Sequence, residues 1–89
     1  MKLEPGFYLL AVDVKKFDLV RVREVNDRMA IATVDFLYEN GKYLGNQTMR
    51  IENLMKVINT TQQISLDDAE FAVARAIEVT EKNIRVFLH

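Results

Sequence analysis

The segment FLYENGKYLG, residues 36–45, decides the fold that the sequence predicts, because it places a turn signal between two alternating runs. Asn40-Gly41 readily adopts the positive φ angles of a type I′ turn, the commonest two-residue connection of a β-hairpin. A two-residue loop pairs Tyr38 with Tyr43 across the hairpin, so their rings share one face. The segment therefore predicts an antiparallel hairpin with tyrosines at its tip.

The preceding segment, DLVRVREV at residues 18–25, also alternates between apolar and charged residues. It predicts a further antiparallel strand. A loop of residues 26–28 places Val22 beside Ala32 and keeps the arginines away from the core, where unpaired charge is costly. We therefore expect a three-stranded meander over residues 19–51. Its predicted core face holds Val20, Val22, Ala30, Ala32, Val34, Phe36, Tyr38, Tyr43, Met49 and Ile51.

The remaining segments predict elements that pack around the meander. FYLLAVDV (7–14) and LMKVI (54–58) are apolar enough to be strands. Ser65 is a predicted N-cap, because acidic residues follow it in what would be the first turn of a helix. The helix is predicted from Leu66 to Glu81. IRVFL (84–88) is predicted to form a last strand.

Together these elements predict an α+β domain with a small antiparallel sheet or barrel of about five or six strands, one C-terminal helix and a short final strand. The strand-rich first 58 residues, which close with MRIENLMKVI, resemble small SH3-like or Tudor-like barrels in their rhythm. Such barrels carry many unrelated functions, so the resemblance implies architecture alone. At 89 residues and 49% hydrophobic composition, we expect a single domain over residues 1–89.

The composition offers little catalytic chemistry. The chain has one histidine, His89, and no cysteine. The three glycines do not form a phosphate-binding pattern. We therefore expect a protein that is not an enzyme, with no catalytic residues, no metal site and no cofactor.

The apolar run near the N-terminus does not predict a membrane segment. It extends over residues 7–12, far short of the ~20 residues that span a bilayer. Residues 4–6 are Glu-Pro-Gly, and no small-residue cleavage site follows the run, so we expect no signal peptide. The absence of cysteine is compatible with a reducing compartment. We expect a cytoplasmic protein without a membrane partner.

The second face of the predicted meander is the candidate binding surface, because it mixes positive charge with apolar residues. Arginines contact carboxylates or phosphates, and leucines supply an apolar anchor. The residues predicted to bind a partner are Arg21, Arg23, Ile31, Leu37, Leu44 and Arg50. We expect a protein partner, or a second copy of the chain bound through this face or through an edge strand. The simpler alternative is an ordinary solvated sheet face.

A nucleic-acid-binding module is the competing function. It would use the same arginines with Lys15 and Lys16 on phosphates, and an aromatic ring such as Tyr43 stacked on a base. The net charge of −1 and the pI of about 5.8 favour a protein partner over nucleic acid. Phe71 lies off the apolar stripe of the predicted helix, and we expect it to pack against the N-terminal strand.

Overall fold

The computed structural model describes residues 2–10, 19–38, 42–74 and 79–89, which form an open antiparallel sheet with helices on both of its faces. The strands are β1 (Gly6–Leu10), β2 (Leu19–Asn26), β3 (Ile31–Leu37), β4 (Tyr43–Arg50) and β5 (Ile58–Ile64). The helices are α1 (Ile51–Val57), α2 (Leu66–Val73) and α3 (Glu81–Leu88). The strand order is β4-β3-β2-β1-β5. The α+β architecture is confirmed, whereas β4 and β5 form open edges and do not close an SH3-like barrel.

The first face of the sheet, defined by Val20, Val22, Ala32, Val34 and Phe36, packs against α1. These side chains are buried in one apolar cluster, to which α1 contributes the fully buried Leu54. β-branched and aromatic side chains fit the pleated surface of a sheet, and their burial supplies most of its stability. The predicted core face is confirmed for these strand residues. Two residues of the predicted core face lie elsewhere: Ala30 is in a turn, and Tyr43 is on the second face.

The connection between β2 and β3 differs from the predicted loop of residues 26–28. Residues 27–30 form the turn, and Asn26 pairs with Ile31. Ala30 has a positive φ of 55° and is exposed in this turn. A bulge at Arg23 then shifts the register, so that Val22 pairs with Val34 and joins the core face. The predicted face of Val20, Val22 and Val34 is therefore right, whereas Val25 pairs with Ala32 on the first face and the predicted loop is wrong.

The hairpin of β3 and β4 contains a second bulge, which moves the tip by one residue. Val34 pairs with Gln47, but Phe36 pairs with Leu44, so Gly45-Asn46 together lie opposite Asp35. An extra residue in one strand reverses the faces beyond it. The predicted pairing of Tyr38 with Tyr43 is wrong for this reason.

The observed partner of Tyr43 is Leu37, and the Tyr38 N–H donates to the Lys42 carbonyl at 3.0 Å. Tyr43 therefore lies on the second face of the sheet, and Leu44 lies on the first. The predicted turn at Asn40-Gly41 lies outside the described residues.

Several predicted elements outside the meander are corrected. Residues 54–58 were predicted as a strand, but they mostly belong to α1. β5 follows α1 where no strand was predicted. α2 ends at Val73, well before Glu81. The segment 84–88 lies in α3, a helix and not a strand.

Side-chain caps mark the starts of both C-terminal helices. The Ser65 hydroxyl accepts a hydrogen bond from the Asp68 N–H at 3.1 Å, which confirms the predicted cap of α2. The Thr80 hydroxyl accepts from the Asn83 N–H at 3.2 Å in the same way. This second cap starts a new helix where the sequence predicts the last residues of the first one. The part of the predicted strand 7–14 beyond Leu10 lies outside the described residues.

α2 and α3 cover the second face of the sheet, which was predicted to be open. Phe7, Leu19 and Leu37 are buried there in a separate apolar cluster. The helices contribute Ala69, Ala72, Val73, Phe87 and Leu88 to it. The chain therefore has an apolar core on each side of the sheet. Within the described part of the chain, none of the helices has the length and apolar character needed to cross a membrane.

Candidate functional site

The second face divides into a covered half and an open half. The covered half surrounds Leu37, which is 2% exposed beneath the helices. The open half lies at the end of the sheet nearest the turn of residues 27–30. There Ile31 is half-buried and pairs across the strands with the exposed Arg50. These halves differ in what they offer to a partner, because only the open half reaches solvent.

Asp35 organises the polar residues between the halves. It is 1% exposed, and no other polar or charged side chain among the described residues is buried. Its Oδ2 accepts from Arg23 Nε, and its Oδ1 accepts from the Asn46 N–H at 2.9 Å. A buried carboxylate is tolerated when it is paired and hydrogen-bonded in this way. Both bulges lie beside Asp35 and deliver these donors to it.

Arg21 and Arg23 hold the C-terminal end of α3 against the sheet. Arg21 Nη1 donates to the Phe87 carbonyl at 2.9 Å, and Arg23 Nη2 donates to the Val86 carbonyl. The last carbonyls of a helix lack intrahelical donors and carry its negative dipole end, so cations stabilise them. Burial lowers the pKa of Arg21, and the neighbouring charge of Arg23 lowers it further. Arg21 also lies over the Phe7 ring, 5.2 Å from its centroid.

The structure does not bring the six residues of the predicted binding surface together. Leu37 lies under α2 and α3, Arg21 donates to Phe87 of α3, and Leu44 lies partly buried on the opposite face. Leu44 changes sides because the bulge at Gly45-Asn46 reverses the faces near the hairpin tip. Arg23, Ile31 and Arg50 remain beside the open half. Their binding of a partner stays a prediction.

We call the exposed surface at this end of the sheet the turn-end surface, formed by Met29, Ile31, Arg50 and an adjoining groove. Met29 is 66% exposed on the turn. The groove has a volume of about 540 Å³. The groove is lined by Ile31 together with Pro5, Arg23, Glu24, Asp27 and Thr33. Apolar side chains thus border a groove with charges of both signs.

The described residues provide little for metal or acid–base chemistry. Within these ranges, no group of three or more His, Cys, Asp or Glu side chains could hold a metal ion. The polar cluster around Asp35 is engaged in structural hydrogen bonds. Tyr43 lies beside it, and burial, followed by the charge of Asp35, raises the pKa of the Tyr43 hydroxyl. This cluster holds the fold together, and it meets the groove at Arg23, which also lines the groove.

Phe71 was expected to pack against the N-terminal strand, but its side chain is 67% exposed on α2. Sequence reasoning also missed the role of Asp35. The available signal was an acidic residue within the mostly apolar segment of β3, opposite the arginines of the neighbouring strand β2. No protein family model matches the chain, and no match is found among curated proteins or solved structures.

We expect the chain to lose stability at alkaline pH, because two of its tyrosines have raised pKa values. Burial raises the pKa of both Tyr8 and Tyr43, so the folded chain holds their protons more tightly than the unfolded chain does. The stabilisation is complete below the unfolded tyrosine pKa of about 10, and it decreases as the pH rises above that value. Urea unfolding on both sides of about pH 10 should therefore show a falling midpoint.

The control is the Tyr8→Phe and Tyr43→Phe double variant. Phenylalanine keeps the ring but has no hydroxyl to ionise, so the variant should lose less stability than the native chain over the same pH range. An identical pH dependence in both proteins would contradict the assigned role of the tyrosines.

Proposed function

We propose that this chain is a non-enzymatic interaction module that binds another protein through the turn-end surface. The observation that supports it most is the groove lined by Ile31, which pairs with the exposed Arg50 at the end of the sheet where the turn carries the exposed Met29. Protein interfaces commonly combine an apolar centre with a charged rim. In this proposal Ile31 and Met29 are the apolar anchors, and Arg50 and Arg23 belong to the rim. Leu37 and Leu44 act from inside by fixing the sheet.

The engaged arginines favour a protein partner over a nucleic acid. Phosphate binding requires cations that are available to neutralise charge. Arg21 and Arg23 already donate to Asp35 or to helix carbonyls. The exposed Arg50 has Glu52 at 3.9 Å. Lys15 and Lys16 lie outside the described residues. The proposal includes a cytoplasmic location, which the lack of cysteine supports.

The test starts from proteins crosslinked to the chain in its source cell, with and without nuclease treatment. Each recovered protein is then purified, and its affinity is measured for the native chain and for Ile31→Asp. A charge in the apolar centre should weaken binding at least about tenfold. Arg50→Ala should act mainly on the association rate and its salt dependence.

Leu66→Asp is the matched control, because it places the same charge at an exposed apolar residue on α2. It should bind as the native chain does. A partner that is lost with Leu66→Asp but kept with Ile31→Asp would place the interface on α2 and contradict the proposal. Capture that disappears after nuclease treatment would favour nucleic acid.

A second copy of the chain is the remaining protein partner to distinguish. Light scattering measures the mass of the native chain and of Ile31→Asp at the same concentration. A dimer that dissociates in the variant identifies self-association through the turn-end surface. If the native chain and the variant are both monomers, the partner is a different protein.

A further inference from the structure

α3 packs on the covered half of the second face as a short peptide helix would pack in a binding groove. Its anchor is Phe87, which is 0% exposed. The Phe87 ring lies 5.6 Å from the Phe7 ring and 6.3 Å from the Tyr43 ring, measured between centroids. Ile84 and Leu88 flank the anchor in the same cluster. This spacing places the three apolar side chains on one face of the helix.

The covered half also contributes hydrogen bonds to the last turn of α3. Arg21 and Arg23 donate to the carbonyls of Phe87 and Val86, which belong to the last turn of α3. The seat therefore combines an aromatic socket with two arginines that donate to carbonyls of the helix.

The fold can release α3 without losing its main core. The cluster between the sheet and α1 includes the fully buried Val20, Val34 and Leu54, and α3 contributes nothing to it. α3 has only 8 residues, and an isolated helix of that length is barely stable in water, so its structure depends on docking. Elements of this kind open locally at lower cost than the whole fold.

We infer that the covered half is a helix-binding seat, that α3 is its internal ligand, and that an amphipathic helix of a partner protein displaces α3. The partner helix would carry an aromatic anchor with aliphatic residues three positions before it and one position after it. Its carbonyls at the anchor and at the residue before it would accept hydrogen bonds from Arg21 and Arg23. This seat and the turn-end surface share Arg23 at their boundary, but their apolar anchors are different residues.

Hydrogen exchange of the intact native chain tests whether α3 opens by itself. The amides of α3 should be protected less than those of β3 by on the order of 100-fold, because β3 is protected by both cores. Equal protection of α3 and β3 would mean that the helix leaves only when the whole chain unfolds. That result would overturn the inference.

A peptide of residues 79–89 tests whether the seat binds a helix from another molecule. The receptor is the full chain with Phe87→Ala, whose own α3 lacks the anchor. The native peptide should bind at least about tenfold more tightly than the same peptide with Phe87→Ala, and should shift the resonances of Leu37 and Tyr43. Equal affinity of the two peptides would overturn the inference.

Two further variants keep this test decisive. If the Phe87→Ala chain does not fold, Leu88→Ala serves as the receptor, since it weakens docking at the edge of the socket. Ile31→Asp should not change peptide affinity, because it lies in the open half. Loss of peptide binding with Ile31→Asp in a folded chain would contradict a separate seat.

Discussion

Asp35→Ala should lower the free energy of unfolding by about 3 kcal/mol, because it leaves the partly buried Arg23 without its anion. Asp35 is 1% exposed and Arg23 is 24% exposed, so water can replace only part of the lost ion pair. The change also removes the acceptor of the Asn46 N–H at the bulge. Denaturation by urea measures the effect, provided that the m-value is unchanged.

Arg50→Ala is the control for the Asp35 substitution. The Arg50 side chain is 75% exposed, and its nearest carboxylate oxygen, on Glu52, is 3.9 Å away. Exposed pairs of this kind contribute about 0–1 kcal/mol. If Asp35→Ala cost no more than Arg50→Ala, the buried pair would not be holding the sheet and α3 together.

Phe87→Ala should also cost about 3 kcal/mol, at the lower end of the range for a buried phenylalanine. The lost ring leaves a cavity between Phe7 and Tyr43. The loss of stability cannot exceed the free energy with which α3 docks on the sheet. Once α3 has undocked, Phe87 makes no contact that the substitution could remove. Thermal or urea unfolding measures the change, and a lower helical signal in the folded baseline would show undocking directly.

Phe71→Ala is the matched control, because it removes the same side chain from a residue that is 67% exposed. We expect it to cost less than about 1 kcal/mol. A larger loss at Phe71 than at Phe87 would contradict the burial of α3 on the second face.

The sequence predicted the meander correctly in its faces and incorrectly in its details. Alternation placed Val20, Val22 and Val34 in the core, because a one-residue error would bury the arginines. It could not locate the bulges, since each adds one residue without disturbing the alternation on either side. The Gly45-Asn46 dipeptide was the local signal for one of them, because asparagine tolerates the positive φ of 53° seen at Asn46.

The missed helices show how short apolar segments mislead. α1 and α3 have 7 and 8 residues, and over this length a helical and an extended pattern are hard to separate. Thr80 followed by Asn83 was a usable capping signal for α3. β5 is rich in polar residues and lies at an edge of the sheet. Its pairing with β1 depends on long-range contacts that a local pattern does not contain.

The candidate site was only partly predictable for the same reason. Arg23, Ile31 and Arg50 were placed on the second face from alternation alone, and they lie beside its open half. Burial of Leu37 depends on where α2 and α3 dock, which no local pattern specified. The predicted Arg/Leu surface is thus divided: Arg21 and Leu37 lie with the helices, and Leu44 lies on the first face.

Hydroxyl-radical footprinting of the intact chain tests this division of the second face most directly, using residues of one type as matched pairs. Leu66 and Phe71 are 43% and 67% exposed, whereas Leu37 and Phe87 are 2% and 0% exposed. We expect Leu66 to be modified faster than Leu37, and Phe71 faster than Phe87. Modification of Leu37 as fast as Leu66 would show that the second face is open, and would contradict the account.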